Sequence, residues 1–210
     1  MPSHKIHIAI GVKLNQKLNF NKDLFYIGCI LPDLDTVSHS VAHFKNSHRK
    51  YDTNRFIDKY YDKNDPLIVG YLVHILTDEY YNKFARENKF TFDENNKLNG
   101  IKLKDKNFYG TPNEVTLKKQ GGFYEYDKYL INNDFMPTIN YIDLDKLTYI
   151  KECNYDKNDI FKYIDTYNDW IKEKNLIENY DIFSFDELDK LFYDCYYYID
   201  DFIEKLNNKE

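Results

Sequence analysis

Three histidines and two aspartates near the start of this chain have the types and spacing of a metal centre: His7, Asp33, His43, His74 and Asp78. All six histidines of the 210 residues fall before position 75, a bias that packing or solubility gives no reason for. His74 and Asp78 stand four apart in the apolar run from Val73 to Asp78, so both leave one helix face a turn apart. A buried imidazole and carboxylate are costly unless paired or metal-bound. Two readings therefore stay open for them: a direct His74–Asp78 hydrogen bond, or ligation. Imidazole with carboxylate is a zinc-type donor set. Five donors exceed one tetrahedral zinc and suit two ions sharing a carboxylate, which clamp the attacking and leaving oxygens of a phosphoryl centre. Asp78, with two oxygens, is the natural bridge. Singly, each residue has an ordinary role: His7 as a core histidine bonded to a carbonyl, Asp33 and Asp35 as turn aspartates after Pro32, His43 as a surface residue. His4, His39 and His48 read as bystanders, with the His4 side chain pointing away from His7.

The elements that must position these residues are helical. A helix over 3–18 with Ser3 as N-cap puts His7 in line with Ile10, Leu14 and Leu18, facing the core. A second helix over about 22–30 is stopped by Pro32, and Asp33 sits on the turn that follows. Residues 39–50 read as a short helix or loop, and 52–62 as a helix capped by Asp52 or Thr53. Asp65-Pro66 is an N-cap followed by proline at the first helical position. From Leu67 to Leu76 that helix is apolar nearly all round, hence central and buried, and it continues in amphipathic form to about Asn88. Gly70 leaves its face thin enough for a neighbouring helix or an ion to come close. Turn chemistry at Asn99-Gly100, Gly110-Thr111-Pro112 and Gly121-Gly122 predicts a loop or small hairpin region near 90–122. Helical periodicity resumes over 123–133, 144–152 and 159–173, and Ser184 with Glu187 forms the capping box of a last helix. Without a repeat or linker pattern, residues 1–210 read as a single all-α domain.

The net charge of −6 argues against a duplex nucleic-acid surface, although bound cations would supply a local field for a phosphodiester. No apolar run approaches the roughly 20 residues of a transmembrane segment. Met-Pro-Ser-His-Lys-Ile-His lacks the layout of a secretory signal, so the expected location is cytoplasmic. Cys29, Cys153 and Cys195 form no CxxC pair and read as small buried hydrophobes in a reducing compartment.

Met1-Pro2-Ser3 with His7, Gly28 ahead of Pro32-Asp33, His43-Phe44, and Gly70-Tyr71 with His74 and Asp78 together resemble the zinc-dependent phospholipase C family, whose superfamily includes the P1-type nucleases. The resemblance covers about residues 1–88. It implies an all-α fold of the phospholipase C/P1 nuclease type and a zinc cleft that hydrolyses phosphate esters through a zinc-bound hydroxide. It implies that Asp33, His43, His74 and Asp78 surround one ion, with Asp33 also a general base. His7 and Asp78 would hold a second, to which the family's processed N-terminus contributes its amine and carbonyl, a part that falls to Pro2 once Met1 is removed. The family's third metal takes two further histidines and a glutamate. No histidine follows His74, so that site is absent or rebuilt from carboxylates such as Glu125 and Asp127. The expectation is a hydrolase with two zinc ions, or one, acting on a phosphate-ester small molecule or a lipid head group. The alternative is a degenerate member whose metal is structural and which binds a ligand or partner. An HD-type phosphohydrolase would need an adjacent His-Asp pair, which the chain lacks.

Overall fold

Ser3 starts the first helix as its side chain accepts from the Ile6 N–H, one of the donors that a helix start leaves unmet. The computed structural model describes residues 2–34, 39–133, 135–173 and 181–208, for His39 and Lys146 the backbone alone; Met1 and Asp35 lie outside them. Helix α1 spans His4–Leu18 and α2 spans Lys22–Gly28. Pro32 does not end α2. It sits in the first turn of a short helix α3, Leu31–Leu34, where its missing N–H costs nothing. Asp33 is therefore helical rather than a turn residue, its N–H donating to the Ile30 carbonyl at 3.0 Å.

Helix α4 (His39–Ala42) is followed by α5 (Thr53–Tyr60), capped by Asp52, and by α6 (Pro66–Asn88), capped by Asp65. Every residue of α6 from Leu67 to Asp78 is buried, as its all-round apolar run requires. Helix α2 crosses α6 where Gly28 meets Gly70. A Cβ on Gly70 would stand 2.2 Å from the Phe25 carbonyl oxygen, and one on Gly28 2.3 Å from that of Leu67. Two glycines thus let the two backbones touch.

After α6 the chain forms an antiparallel meander of β1 (Phe90–Phe92), β2 (Leu98–Lys102) and β3 (Asn107–Tyr109), with Phe90 opposite Ile101 and Gly100 opposite Tyr109. The expected hairpin is there, with a third strand added. Helix α7 (Pro112–Asn132) begins in a capping box of Thr111 and Glu114 and runs straight through Gly121-Gly122. Gly122 is not a turn residue: Phe183 ring carbons lie 2.8 Å from where its Cβ would be, so glycine there serves close packing. Of the helix expected over 144–152, one 3₁₀ turn forms at Leu144–Lys146. Leu144 within the turn and Ile150 beyond it are buried. Helix α8 spans Lys157–Trp170, and α9 spans Phe185–Asn207 from the Ser184–Glu187 capping box. Helices α7 and α9 both pack on α1, and α9 also on α6. The described chain is mostly helical with one small sheet, and none of its helices is long and apolar enough to cross a membrane. Its three cysteines are buried.

Candidate metal centre

His74 and Asp78 meet residues from three other segments at the middle of α6: His7 from α1, Asp33 from α3 and His43 from just after α4. All five residues singled out by type and spacing come together. His7, His43, His74 and Asp78 are 0% exposed, and the Asp33 side chain is 5% exposed.

His43 is turned inward by what flanks it. Phe44 has a left-handed φ of 51°, uncommon for a bulky residue, and its ring sits edge-on to Phe56, Tyr60 and Tyr71. On the other side the Tyr71 hydroxyl donates to the Ala42 carbonyl. His74 is fixed through its Nδ1, 2.8 Å from the Cys29 carbonyl oxygen. A carbonyl only accepts, so Nδ1 carries the proton and Nε2 presents its lone pair to the centre. The glycine contact between α2 and α6 is what brings Cys29 within reach.

The donor atoms face one another. Nε2 of His74 lies 3.0 Å from Nε2 of His43, and 3.9 Å from both Asp33 Oδ1 and Asp78 Oδ2. Nε2 of His43 lies 3.2 Å and 3.3 Å from the same two oxygens. Four donors around one tetrahedral ion at about 2.1 Å stand roughly 3.4 Å apart, and these five distances bracket that edge. Asp78 turns its other oxygen, Oδ1, toward His7 Nε2 at 3.6 Å. Neither ring nitrogen of His7 nor Asp78 Oδ1 has a hydrogen-bond partner among the described residues. The His7 ring lies flat on that of His74, centroids 4.0 Å apart and planes within 10°. Orphaned buried polar atoms are costly, and a cation between them would satisfy them.

Burial holds the His7 and His74 imidazoles below the usual histidine range, reinforced for His7 by His74 and opposed for His74 by Asp33 and Asp78. For Asp33 burial acts upward, but His74, His4 and His43 outweigh it and keep the carboxyl well below the ordinary range. Neutral imidazoles beside an ionised carboxylate are the forms in which these side chains ligate. His7, Asp33 and His74 present donor atoms within 4.8 Å of one another, as do His43, His74 and Asp78, and both groups could hold a metal ion.

A cleft of about 490 Å³ reaches the cluster at Asp33, with Pro2, His4, Lys5, Asp127 and Trp170 among its walls. His4 is no bystander. Its Nε2 lies 3.2 Å from Asp33 Oδ2, its side chain 29% exposed. The signal was there, since residues three apart on a helix are neighbours and His4 precedes His7 by three. His48 is exposed, and the side chain of His39 lies outside the described residues. Of the two carboxylates expected at a third site, Asp127 borders the cleft. It accepts from the Ser3 hydroxyl and lies 3.5 Å from the Lys5 ammonium, yet burial pushes its carboxyl up to about 6. Glu125 instead pairs with Lys128 at 2.8 Å and lines a different depression, with Leu117 and Gly121. Sequence reading missed Tyr51, whose hydroxyl donates to Asp78 Oδ2 at 3.1 Å. No spacing rule joins a loop tyrosine to a helix residue so far along the chain.

Comparison with known proteins gave no match to any family model, any curated protein or any solved structure. The family resemblance thus rests on the residues quoted above.

Proposed function

We propose that this chain is a metal-dependent hydrolase of phosphate esters, with zinc as its ion. The observation that carries the proposal is the convergence of three imidazoles and two carboxylates at ligand-edge distances, with His7 Nε2 and Asp78 Oδ1 left without hydrogen bonds among the described residues. Nitrogen and oxygen donors of this mix suit zinc. Asp33, His43, His74 and Asp78 would hold one ion, and His7 with the second oxygen of Asp78 another. Zinc supplies Lewis acidity at phosphorus and acidifies water. Asp33 alone of the five lines the cleft, where its carboxylate is placed to take a proton from an entering water. His4 holds the outer oxygen of Asp33 in place. Lys5 and Lys128 line the cleft as ammonium donors within reach of a phosphate, each beside a carboxylate, and Trp170, its ring 4.7 Å from the Lys5 ammonium, gives it an apolar wall. A small phosphate ester or a lipid head group fits that chemistry. The test is hydrolysis of bis(p-nitrophenyl) phosphate and p-nitrophenyl phosphate by zinc-loaded wild type and Asp78→Asn. Turnover in the wild type should vanish in the variant together with bound zinc, and equal turnover with unchanged zinc would contradict the assignment.

A second reading is favoured by two features. Four of the five candidate ligands are wholly buried, and no histidine follows His74 to build a further open site. Closed coordination is the mark of a structural metal. Zinc held stoichiometrically, with no turnover of either ester, is the outcome that selects a structural role.

A further inference from the structure

Lys119 of α7 is 2% exposed, and its ammonium lies 2.8 Å from Asn82 Oδ1. An ammonium can only donate, so Asn82 must turn its oxygen to Lys119 and its NH₂ the other way. The two amide hydrogens then go to the main-chain carbonyl of Asp78, one helical turn back at 2.8 Å, and to the Tyr51 hydroxyl oxygen at 2.9 Å. Because that oxygen accepts from Asn82, its own hydrogen goes to Asp78 Oδ2 at 3.1 Å. A donor-only group at one end and an acceptor-only group at the other fix the direction of every bond between them. The Lys45 ammonium, 4.6 Å over the Tyr51 ring, places a second positive charge behind the same phenol.

We propose that Lys119, Asn82 and Tyr51 form a one-way hydrogen-bond relay that orients the Asp78 carboxylate, so that Oδ2 faces His43 and His74 while Oδ1 faces His7. The three are positioning residues for the metal centre, an inference that rests on the metal reading above. The need for such a device is physical. The terminal torsion of an aspartate is broad, and a shared carboxylate serves two ions only if both oxygens point correctly. Partners of this kind set ligand orientation, and their loss typically costs 10–100-fold in metal affinity. In a dry interior, bonds in series also polarise one another.

The relay is tested by zinc affinity, from competition with a chromophoric chelator, for the full-length wild type, Tyr51→Phe, Lys119→Met and the double variant. The visible absorption of the cobalt-substituted proteins is recorded alongside. Tyr51→Phe removes the hydroxyl and keeps the ring. It should bind zinc at least tenfold more weakly and shift the cobalt band, which a merely structural role would not move. Lys119→Met should weaken binding as well, and the double variant should fall no more than about threefold below Tyr51→Phe, because Lys119 acts through Tyr51. Fully additive losses would remove Lys119 from the relay. Affinities within about threefold of wild type in both single variants, with an unchanged cobalt spectrum, would overturn the relay while leaving the metal reading intact. A wild-type chain that binds neither zinc nor cobalt would overturn both.

Discussion

Replacing Gly70 with alanine sets two effects of known size against each other. In a helix interior alanine gains about 1 kcal/mol over glycine. At this position the new Cβ would stand 2.2 Å from the Phe25 carbonyl oxygen and 3.1 Å from both Cys29 N and Gly28 Cα. All three are main-chain atoms, so relief requires α2 to move as a body rather than a side chain to rotate. An ordinary carbon–oxygen contact is about 3.3 Å or longer, so α2 must withdraw by roughly 1 Å. Overpacking of this kind costs about 1–3 kcal/mol, and subtracting the propensity gain leaves a net loss of about 0–2 kcal/mol. The same shift would carry the Cys29 carbonyl from 2.8 Å to nearly 4 Å from His74 Nδ1, out of hydrogen-bond range. His74 would then lose the partner that sets its tautomer, and zinc affinity should fall by at least about tenfold. Urea unfolding of the metal-free protein reads the first quantity and a chelator competition the second. A Gly70→Ala variant about 1 kcal/mol more stable than wild type, the propensity gain unopposed, would refute the packing argument. A destabilised one with unchanged zinc affinity would refute the link from α2 to the metal centre.

His7→Leu removes two buried ring nitrogens that have no hydrogen-bond partner among the described residues, and it should stabilise the metal-free protein by about 1–2 kcal/mol while shrinking the rise in melting temperature on adding zinc. A loss of metal-free stability would contradict the claim that His7 is retained for ligation. Asp127, its carboxyl raised to about 6 from an ordinary 3.8, contributes stability that is complete below about pH 4 and is lost as pH rises through 6, on the order of 3 kcal/mol. Measured without metal, Asp127→Asn should therefore gain on the wild type between pH 4 and 7.5; a difference independent of pH would contradict the shift.

How far the sequence could be read depended on whether the decisive contact was local. Asp65-Pro66 and the unbroken apolar run after it specify α6 by themselves, and with it the shared face of His74 and Asp78. Ser3 likewise sets the phase of α1 and turns His7 inward. His4 was readable by the same three-residue rule, but a first-turn position that reads as solvated obscured its contact with Asp33. Gly121-Gly122 carries the composition of a turn, and only the Phe183 ring from a distant segment shows that it belongs inside a helix. The role of Gly70 is visible as a thin face, whereas its partner Gly28 can be matched to it only once α2 is laid across α6. Tyr51 and Lys119 reach Asp78 through loop geometry and the placement of α7, which no periodicity in the chain encodes.

Elemental analysis of the purified chain, after dialysis against zinc and removal of the unbound ion, tests the metal centre most directly. Two zinc ions per chain are expected, one among Asp33, His43, His74 and Asp78 and one between His7 and Asp78. A chain that retains no metal under those conditions would contradict the assignment of these five residues as ligands.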